Sequence, residues 1–425
     1  MTTTKVLQVR LGRAVASVVG LLAVLGSSAC SGLLDVQFPG RIPSEQIADP
    51  TLAPVLARSV VSDLECAYSN YTGANAVHSD EFETSNSNVP GSNWGERSIS
   101  ADEDSYVIGT CFSTGIQFGI NLTLHTARFQ SEDVFTRLSN WTDAEVAGRT
   151  ALMAQVRAFG GYAYQFLGET FCQVAFDGAD AGPPAASLAL AEHRFTEAIT
   201  LAQQSANTDI LNMARVGLAR SQLMQKKYAA AATTAALVPA GYVKNADRGG
   251  EHPRRWNRLF RLGNSLGAYT ISLPYRAIND PRVLIRDTGG PSFIPAVRLW
   301  VTTKYTGLNS PIRLASYREA QLILAEAKAN TGDIPGAMTI LNTRRAEVGL
   351  GPLSAGNLVE ATTAIIDERQ KELSFEGGHR AADLLRFRLP WKGANGSTVL
   401  TNPFTARPYG ATTCWPLATK ETSGA

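Results

Sequence analysis

Histidine and cysteine are scarce, five of each in 425 residues, and the patterns that would make chemistry of them are missing. The histidines are scattered and no His-Glu-x-x-His occurs, which removes the helix-borne zinc arrangement of two imidazoles one turn apart. Neither Walker A nor Gly-x-Ser-x-Gly is present, so no phosphate-cradling loop or nucleophile elbow is written into the chain. Asp102 and Asp104 resemble the start of a calcium loop, but the sixth position, where the turn needs glycine, is Val107. No metal set, no cofactor and no catalytic residue is therefore expected. There are no Lys/Arg-rich runs and no long acidic tail, and the formal charge of +2 is near neutral, which argues against nucleic acid as a partner. After the N-terminus no run of 18 apolar residues exists, so no membrane-crossing helix is expected there. Signals for β-structure are sparse.

What is present is a composition that is 44% hydrophobic and 18% charged, ample for a large core. Length alone suggests two or three domains, though helical repeats run longer as one unit. The N-terminus is specific. Lys5, Arg10 and Arg13 form a basic region with no acid before Asp35, and Ala14 to Gly26 is a 13-residue apolar run. That run is too short to span a bilayer as a helix and has the length of a signal peptide. Small residues follow, Ser27-Ser28-Ala29, and then Cys30. The arrangement resembles a bacterial lipobox, departing from it at Ser27, where leucine is usual. The expectation is a signal peptide over 1–29 and a lipidated Cys30 at the mature N-terminus, anchoring the chain through acyl chains alone. Loss of three cations would take the charge from +2 to −1.

Four cysteines then remain: Cys66, Cys111, Cys172 and Cys414. An even number in an exported protein suggests two disulfides, and their wide spacing fits no zinc pattern. Three connectivities are possible.

Beyond a tether at 30–46, helical patterns dominate, at 51–72, 114–139, 142–172, 187–205 and 208–238. The interval from about 240 to 310 contains glycine, proline and aromatics with no clear period. The clearest helix pair follows it. Leu314, Tyr317, Ala320, Leu324 and Ala327 recur at helical steps, giving one apolar face. Gly332 can take the left-handed conformation that ends this helix, Asp333 can cap the next, and Pro335 is tolerated in its first turn. Ile334, Met338, Leu341 and Val348 line the second helix, and Gly349 closes it. Small Ala325 and Ala337 at the crossing give the pair a tetratricopeptide-type look, and such hairpins must stack to bury their apolar faces.

A third helix, Leu358 to about Phe375, turns Leu358, Ala361, Ile365 and Leu373 inward. It leads into the charge-dense stretch ERQKELSFEGGHRAADLLRFR, Glu368 to Arg388. Within it Glu368 with Lys371, and Arg369 with Glu372, can pair at i,i+3. The same charge types could serve acid/base chemistry or brace a scaffold.

The motifs R-L-A-x-x-x-E-A-x-L-x-L-A-E-A, G-D, L-N-x-x-R and E-R-x-x-E-L-x-F-E-G resemble the C-terminal half of the SusD/RagB family of outer-membrane nutrient-binding lipoproteins. The matching residues are Arg313, Glu319, Glu326, Gly332, Asp333, Leu341, Asn342, Arg345, Glu368, Arg369, Glu372, Phe375, Glu376, Gly377, Arg380, Asp383, Leu384 and Arg386, about 75 residues in all. Gly377-Gly378 carries one glycine more than the usual pattern. The resemblance implies an all-α fold of four tetratricopeptide-like hairpins, a helical scaffold over 47–240 and 311–388 with a loop-rich lobe at about 240–310. It implies a non-enzymatic lipoprotein at the outer membrane that captures a glycan or other nutrient and passes it to a TonB-dependent, SusC-like transporter. In that setting the charges of 368–388 are structural.

Sugar rings present an apolar C–H face and a hydroxyl rim, which aromatic planes and Asn, Asp, Arg or Gln side chains cover. The loop 78–106 has that composition, and Trp94, with Asn93 and Arg97 as hydroxyl partners, is the expected ligand site. Tyr269, Tyr275, Trp300 and Tyr305 are second candidates. Two other functions compete: a repeat-type envelope adaptor that binds protein, and a glycan hydrolase using Asp80, Glu81 or Glu83. Carboxylates so close on one loop seldom span a glycosidic bond as a hydrolase needs.

Overall fold

The computed structural model describes residues 46–112, 115–393 and 401–419. The chain divides into two units, 1–49 and 50–425. Of the first only a turn at its end is described, so the signal segment and Cys30 lie outside the described residues. The second is mostly helical, an all-α fold of tetratricopeptide-like helix pairs.

Its α-helices longer than one turn are α1 (Ala53–His78), α2 (Val89–Gly95), α3 (Asn121–Asn140), α4 (Arg149–Thr170), α5 (Pro184–Gln204), α6 (Thr208–Met224), α7 (Tyr228–Ala235), α8 (Tyr317–Asn330), α9 (Ile334–Glu347), α10 (Leu358–Glu372) and α11 (His379–Arg386). Four pairs stack in chain order: α1 with α3, α4 with α5, α6 with α7, and α8 with α9. The α7–α8 contact carries the stack across the long interval between them. Packing is close because small residues face large ones. A Cβ on Gly161 would lie 2.7 Å from the Phe195 ring, and one on Gly217 would be closer still. Between α8, α9 and α10, Leu341, Ile365, Leu373 and Ala325 form one core cluster. Burying each large member stabilises the fold by roughly 1.5–3 kcal/mol.

The helix ends follow the local chemistry. Gly332 has φ +94°, and Asp333 Oδ1 accepts the Gly336 N–H at 2.9 Å. Ser316 and Asn357 cap α8 and α10 in the same way, at 3.1 and 3.0 Å. Gly377 and Gly378 are both left-handed, with φ +66° and +68°, and a Cβ on Gly378 would meet the Tyr71 ring. The double glycine is thus required by the turn into α11.

Several expectations are corrected. Residues 115–120 precede α3 rather than belonging to it. Leu314 is not on α8; it lies in a strand, where it is buried. Leu358 is 41% exposed, because the first turn of α10 projects past its neighbours. The interval 240–310 is not merely irregular. It holds most of six short strands: β1 (Phe82–Thr84), β2 (Val243–Ala246), β3 (Tyr269–Ile271), β4 (Ile285–Pro291), β5 (Arg298–Thr302) and β6 (Ile312–Ser316). These pair antiparallel as β1–β3, β2–β6 and β4–β5. Strands of three to seven residues leave too little periodicity to read, and two of the pairs draw a partner from outside the interval.

The expected i,i+3 pairs, Glu368 with Lys371 and Arg369 with Glu372, give way to partners mostly from distant parts of the chain, and Lys371 pairs with Asp367 instead. Glu368, fully buried, accepts from Arg282 at 2.5 Å and Arg345 at 2.6 Å. Glu372 accepts from Arg344 at 2.8 and 3.1 Å. Arg369 and Arg386 both donate to Asp383 at 2.8 Å, and Arg386 also holds Glu326. Arg380 grips Asp80 with two bonds, 2.7 and 2.6 Å. Burial opposes ionisation of Asp383, but the pull of Arg369 and Arg386 prevails and holds its carboxyl below the usual range. The motif residues here brace α8, α9, α10 and α11 against one another and against the chain at Asp80 and Arg282.

The two disulfides join Cys66 to Cys111 and Cys172 to Cys414, with Cα separations of 5.9 and 5.1 Å. The second fixes the C-terminal segment 401–419 at the end of α4. There Trp415 exchanges backbone hydrogen bonds with Thr170 and Cys172 at 2.7 and 2.8 Å.

Candidate functional site

The loop chosen from composition is a seat for the C-terminal segment. Trp94 is fully buried, its ring edge-on to Tyr106, Phe118 and Trp415 at centroid distances of 6.1, 5.6 and 5.5 Å. Arg97 is 1% exposed and donates to the Thr412 carbonyl at 3.2 Å. Asn93, half-buried, is held by Glu103 at 3.0 Å and by Ser98 at 3.3 Å. Backbone bonds from Gly410 to Glu96 and from Thr412 to Arg97 close the segment over the loop. Trp94 and Arg97 therefore present no surface to a ligand. The loop's composition is that of a binding loop, but its partner is the far end of the same chain.

Of the second candidates, Tyr269, Tyr275 and Tyr305 are also buried. Tyr269 donates to the Gly91 carbonyl at 2.6 Å and Tyr305 to that of Phe375 at 2.8 Å. Trp300 alone of the four is partly exposed, and the Arg276 guanidinium lies 5.4 Å from its ring centre and 5.4 Å from that of Phe404.

The carboxylates considered for hydrolysis are committed elsewhere. Asp80 is taken by Arg380. Glu83 is buried against Lys392 at 3.5 Å and Tyr409 at 2.7 Å. Glu81 accepts the Phe375 N–H at 2.6 Å, and burial pushes its carboxyl up to about 8 against that hydrogen bond. Among the described residues no group of three or more His, Cys, Asp or Glu is placed to hold a metal ion.

The strand-containing lobe holds a cavity of about 460 Å³. The β4–β5 hairpin contributes Arg286, Thr288, Val301 and Thr302, and the chain continuing from β5 contributes Thr303, Tyr305 and Thr306. Phe260 and Asn264 close it from a wide helical turn, Phe260–Ser265, whose bonding reaches five residues, as from the Leu266 N–H to the Arg261 carbonyl at 3.0 Å. Such widened turns recur at functional sites. Pairing of Arg286 with Val301 and of Asp287 with Trp300 puts the first pair on the cavity face and the second on the opposite face.

The cavity wall is braced but not saturated. Asn264 Nδ2 donates to the Thr302 and Tyr305 carbonyls at 2.7 and 3.2 Å, while its buried Oδ1 accepts nothing. Thr302 and Thr288 hydroxyls each donate to a backbone carbonyl at 2.9 Å and accept a backbone N–H at 3.2 Å, which leaves each one further lone pair. Two other concavities differ. A groove of about 260 Å³ between α8 and α9 carries Arg318, Arg344 and Glu347, with both arginines bonded to Glu347 at 2.6 Å. One of about 180 Å³ beside Phe112 carries Asp63 and Arg254, paired with each other.

The distribution of the motifs now meets the comparisons. Residues 300–421 match the model of the SusD family. That match spans the motif residues from Arg313 to Arg386, and a SusD-like architecture extends over most of the chain. A SusD-like carbohydrate binding protein from Bacteroides vulgatus superposes with a TM-score of 0.65 at 15% identity, covering 88% of this chain and 96% of that one. A laminarin binding SusD-like protein gives 0.63 at 17%, covering 88% and 97%. A SusD homolog from Bacteroides thetaiotaomicron gives 0.66 at 16%, covering 91% and 98%. A search of curated proteins found no match. At such identities the SusD-like fold is what is shared, and the lining of the cavity belongs to this sequence. Nothing in the chain before β4 signalled the cavity, since Asn264 and Phe260 reach it from a different part of the lobe. Of the residues named from sequence, Tyr305, a second candidate, lines this cavity, and the threonines around it at 288, 302, 303 and 306 carried no local signal.

Proposed function

We propose that this protein is a non-catalytic, SusD-like lipoprotein that captures a glycan in the cavity behind the β4–β5 hairpin. The supporting observation is that wall. A cluster of threonine hydroxyls, the Arg286 guanidinium and Phe260 offer a sugar both hydrogen-bond partners and an apolar surface. Asp80, Glu81 and Glu83, tied into ion pairs and backbone bonds, support the reading that no hydrolysis occurs. The neighbours named for carbohydrate and laminarin binding support the ligand class.

On this reading residues 1–29 are a signal peptide, Cys30 carries lipid, 30–46 are a tether, and the SusD-like domain runs from 47 onward. Membrane attachment rests on the acyl chains, as no described helix is long and apolar enough to cross a bilayer. The protein sits at the outer membrane and delivers its cargo to a TonB-dependent, SusC-like transporter. The adaptor function has no comparable support, because the α8–α9 groove has its charges already paired. The test is a glycan panel measured by calorimetry on the full-length protein in detergent, repeated with Thr303→Trp, which fills the cavity. Binding abolished by that change is the expected result, and unchanged binding overturns the assignment of the cavity.

A further inference from the structure

The glycan reading leaves the class of glycan open, and the charges around the cavity narrow it. Among the described residues Arg286 is the sole charged one in the lining, and no Asp or Glu shares the wall. Its guanidinium makes no hydrogen bond or ion pair with any described residue. The acid next to it in sequence, Asp287, lies on the other face of the hairpin, where Arg298 holds it at 2.7 Å. Lys304, beyond the hairpin, is already bound to the Ser374 carbonyl at 2.6 Å and faces Glu376 at 3.4 Å. The cavity is thus a polar pocket with one uncompensated positive group at its wall and no anion of the protein's own to meet it. Four residues earlier the protein does supply that anion, with Asp280 and Glu368 both meeting Arg282.

We infer that the glycan is acidic: a carboxylate or sulfate on the sugar meets Arg286, while ring hydroxyls meet the threonines. A guanidinium presents a planar fork that matches either oxyanion with two parallel bonds, and charge-assisted bonds are roughly twice as strong as neutral ones. A neutral sugar leaves that fork without its match. This inference rests on the glycan-capture reading and adds a sign to it.

The experiment is calorimetry of the full-length protein with four probes: tri-galacturonate, its fully methyl-esterified form, a neutral galactan trisaccharide and a sulfated galactan trisaccharide. At least one anionic probe is expected to bind roughly tenfold or more tighter than its neutral counterpart, with affinity falling as salt rises. Which anion prefers the site separates carboxylate from sulfate recognition. Arg286→Ala is expected to remove that preference and Arg286→Lys to restore part of it, with unfolding midpoints unchanged as the control for folding. Equal binding of charged and neutral probes, or a preference that survives Arg286→Ala, overturns the inference while leaving glycan capture intact. Binding to none of the four overturns the inference too. Glycan capture itself then falls only if a wider neutral panel also fails.

Discussion

Arginine is used in two opposite ways in this molecule. In the helical stack, Arg345, Arg369 and Arg386 are met by carboxylates from neighbouring helices, and Arg282, reaching in from the turn before β4, completes the charge of Glu368 on α10. In the strand-containing lobe, Arg286 stands on a cavity wall with no carboxylate at all. The difference teaches that residue type in a charged motif says little about function. What separates brace from binder is whether the fold itself completes the charge.

The largest effect expected from breaking this contrast is on the scaffold side. Glu368→Ala leaves Arg282 and Arg345 facing a buried hole, and removing one partner of a buried pair costs about 3–5 kcal/mol. Denaturant unfolding should show that loss, with glycan affinity per folded molecule unchanged. A stability change under ~1 kcal/mol would mean the network is slack and the contrast with Arg286 is empty.

Next is the covalent brace. Opening Cys172–Cys414 frees a segment tied across 242 residues of sequence. Paired Cys172→Ser and Cys414→Ser changes should cost about 2–5 kcal/mol and expose Trp94 and Trp415, seen as a red-shifted tryptophan emission. Unshifted emission would show that the segment holds without its disulfide.

How much of this was legible in the sequence follows the same division. The helix pairs were readable because apolar spacing, the Gly332–Asp333 turn and the caps act over a few residues. The motif residues from Arg313 to Arg386 were readable as a set, but their pairings were not. Glu368 finds Arg282, 86 positions away, and no local rule points there. The site was misplaced for the same reason. Trp94 looked like a sugar platform until Trp415, 321 positions later, covered it. The cavity combines residues from 260 to 306 that only strand pairing brings together.

A smaller effect separates buried charge that is paired from buried charge that is not. Glu81 is raised to about 8 by burial, from a reference of 4.5. A carboxyl whose folded value is raised favours folding most below the unfolded value. That advantage erodes as pH climbs from about 4.5 to 8, since the unfolded chain ionises first. Glu81→Gln keeps the acceptor for the Phe375 N–H and removes the proton. The variant should therefore gain on the wild type by roughly 1 kcal/mol or more between pH 5 and pH 8. Parallel pH profiles would show that the group ionises freely. Asp383 runs the other way, its folded value depressed below 3.8, so the stability from its pairs is present above that pH and lost as acid is added below it.

The smallest expected effect sharpens the comparison most. Arg286→Ala should change unfolding free energy by no more than about 0.5 kcal/mol, because an exposed side chain with no partner contributes little to the folded state. Set against Glu368→Ala, the outcome is a double dissociation: one variant loses stability and keeps its ligand, the other keeps stability and loses its preference for anions. A clear destabilisation by Arg286→Ala would place Arg286 among the braces after all. The division between a charge-completed scaffold and a charge-open cavity would then have to be drawn elsewhere in the lobe.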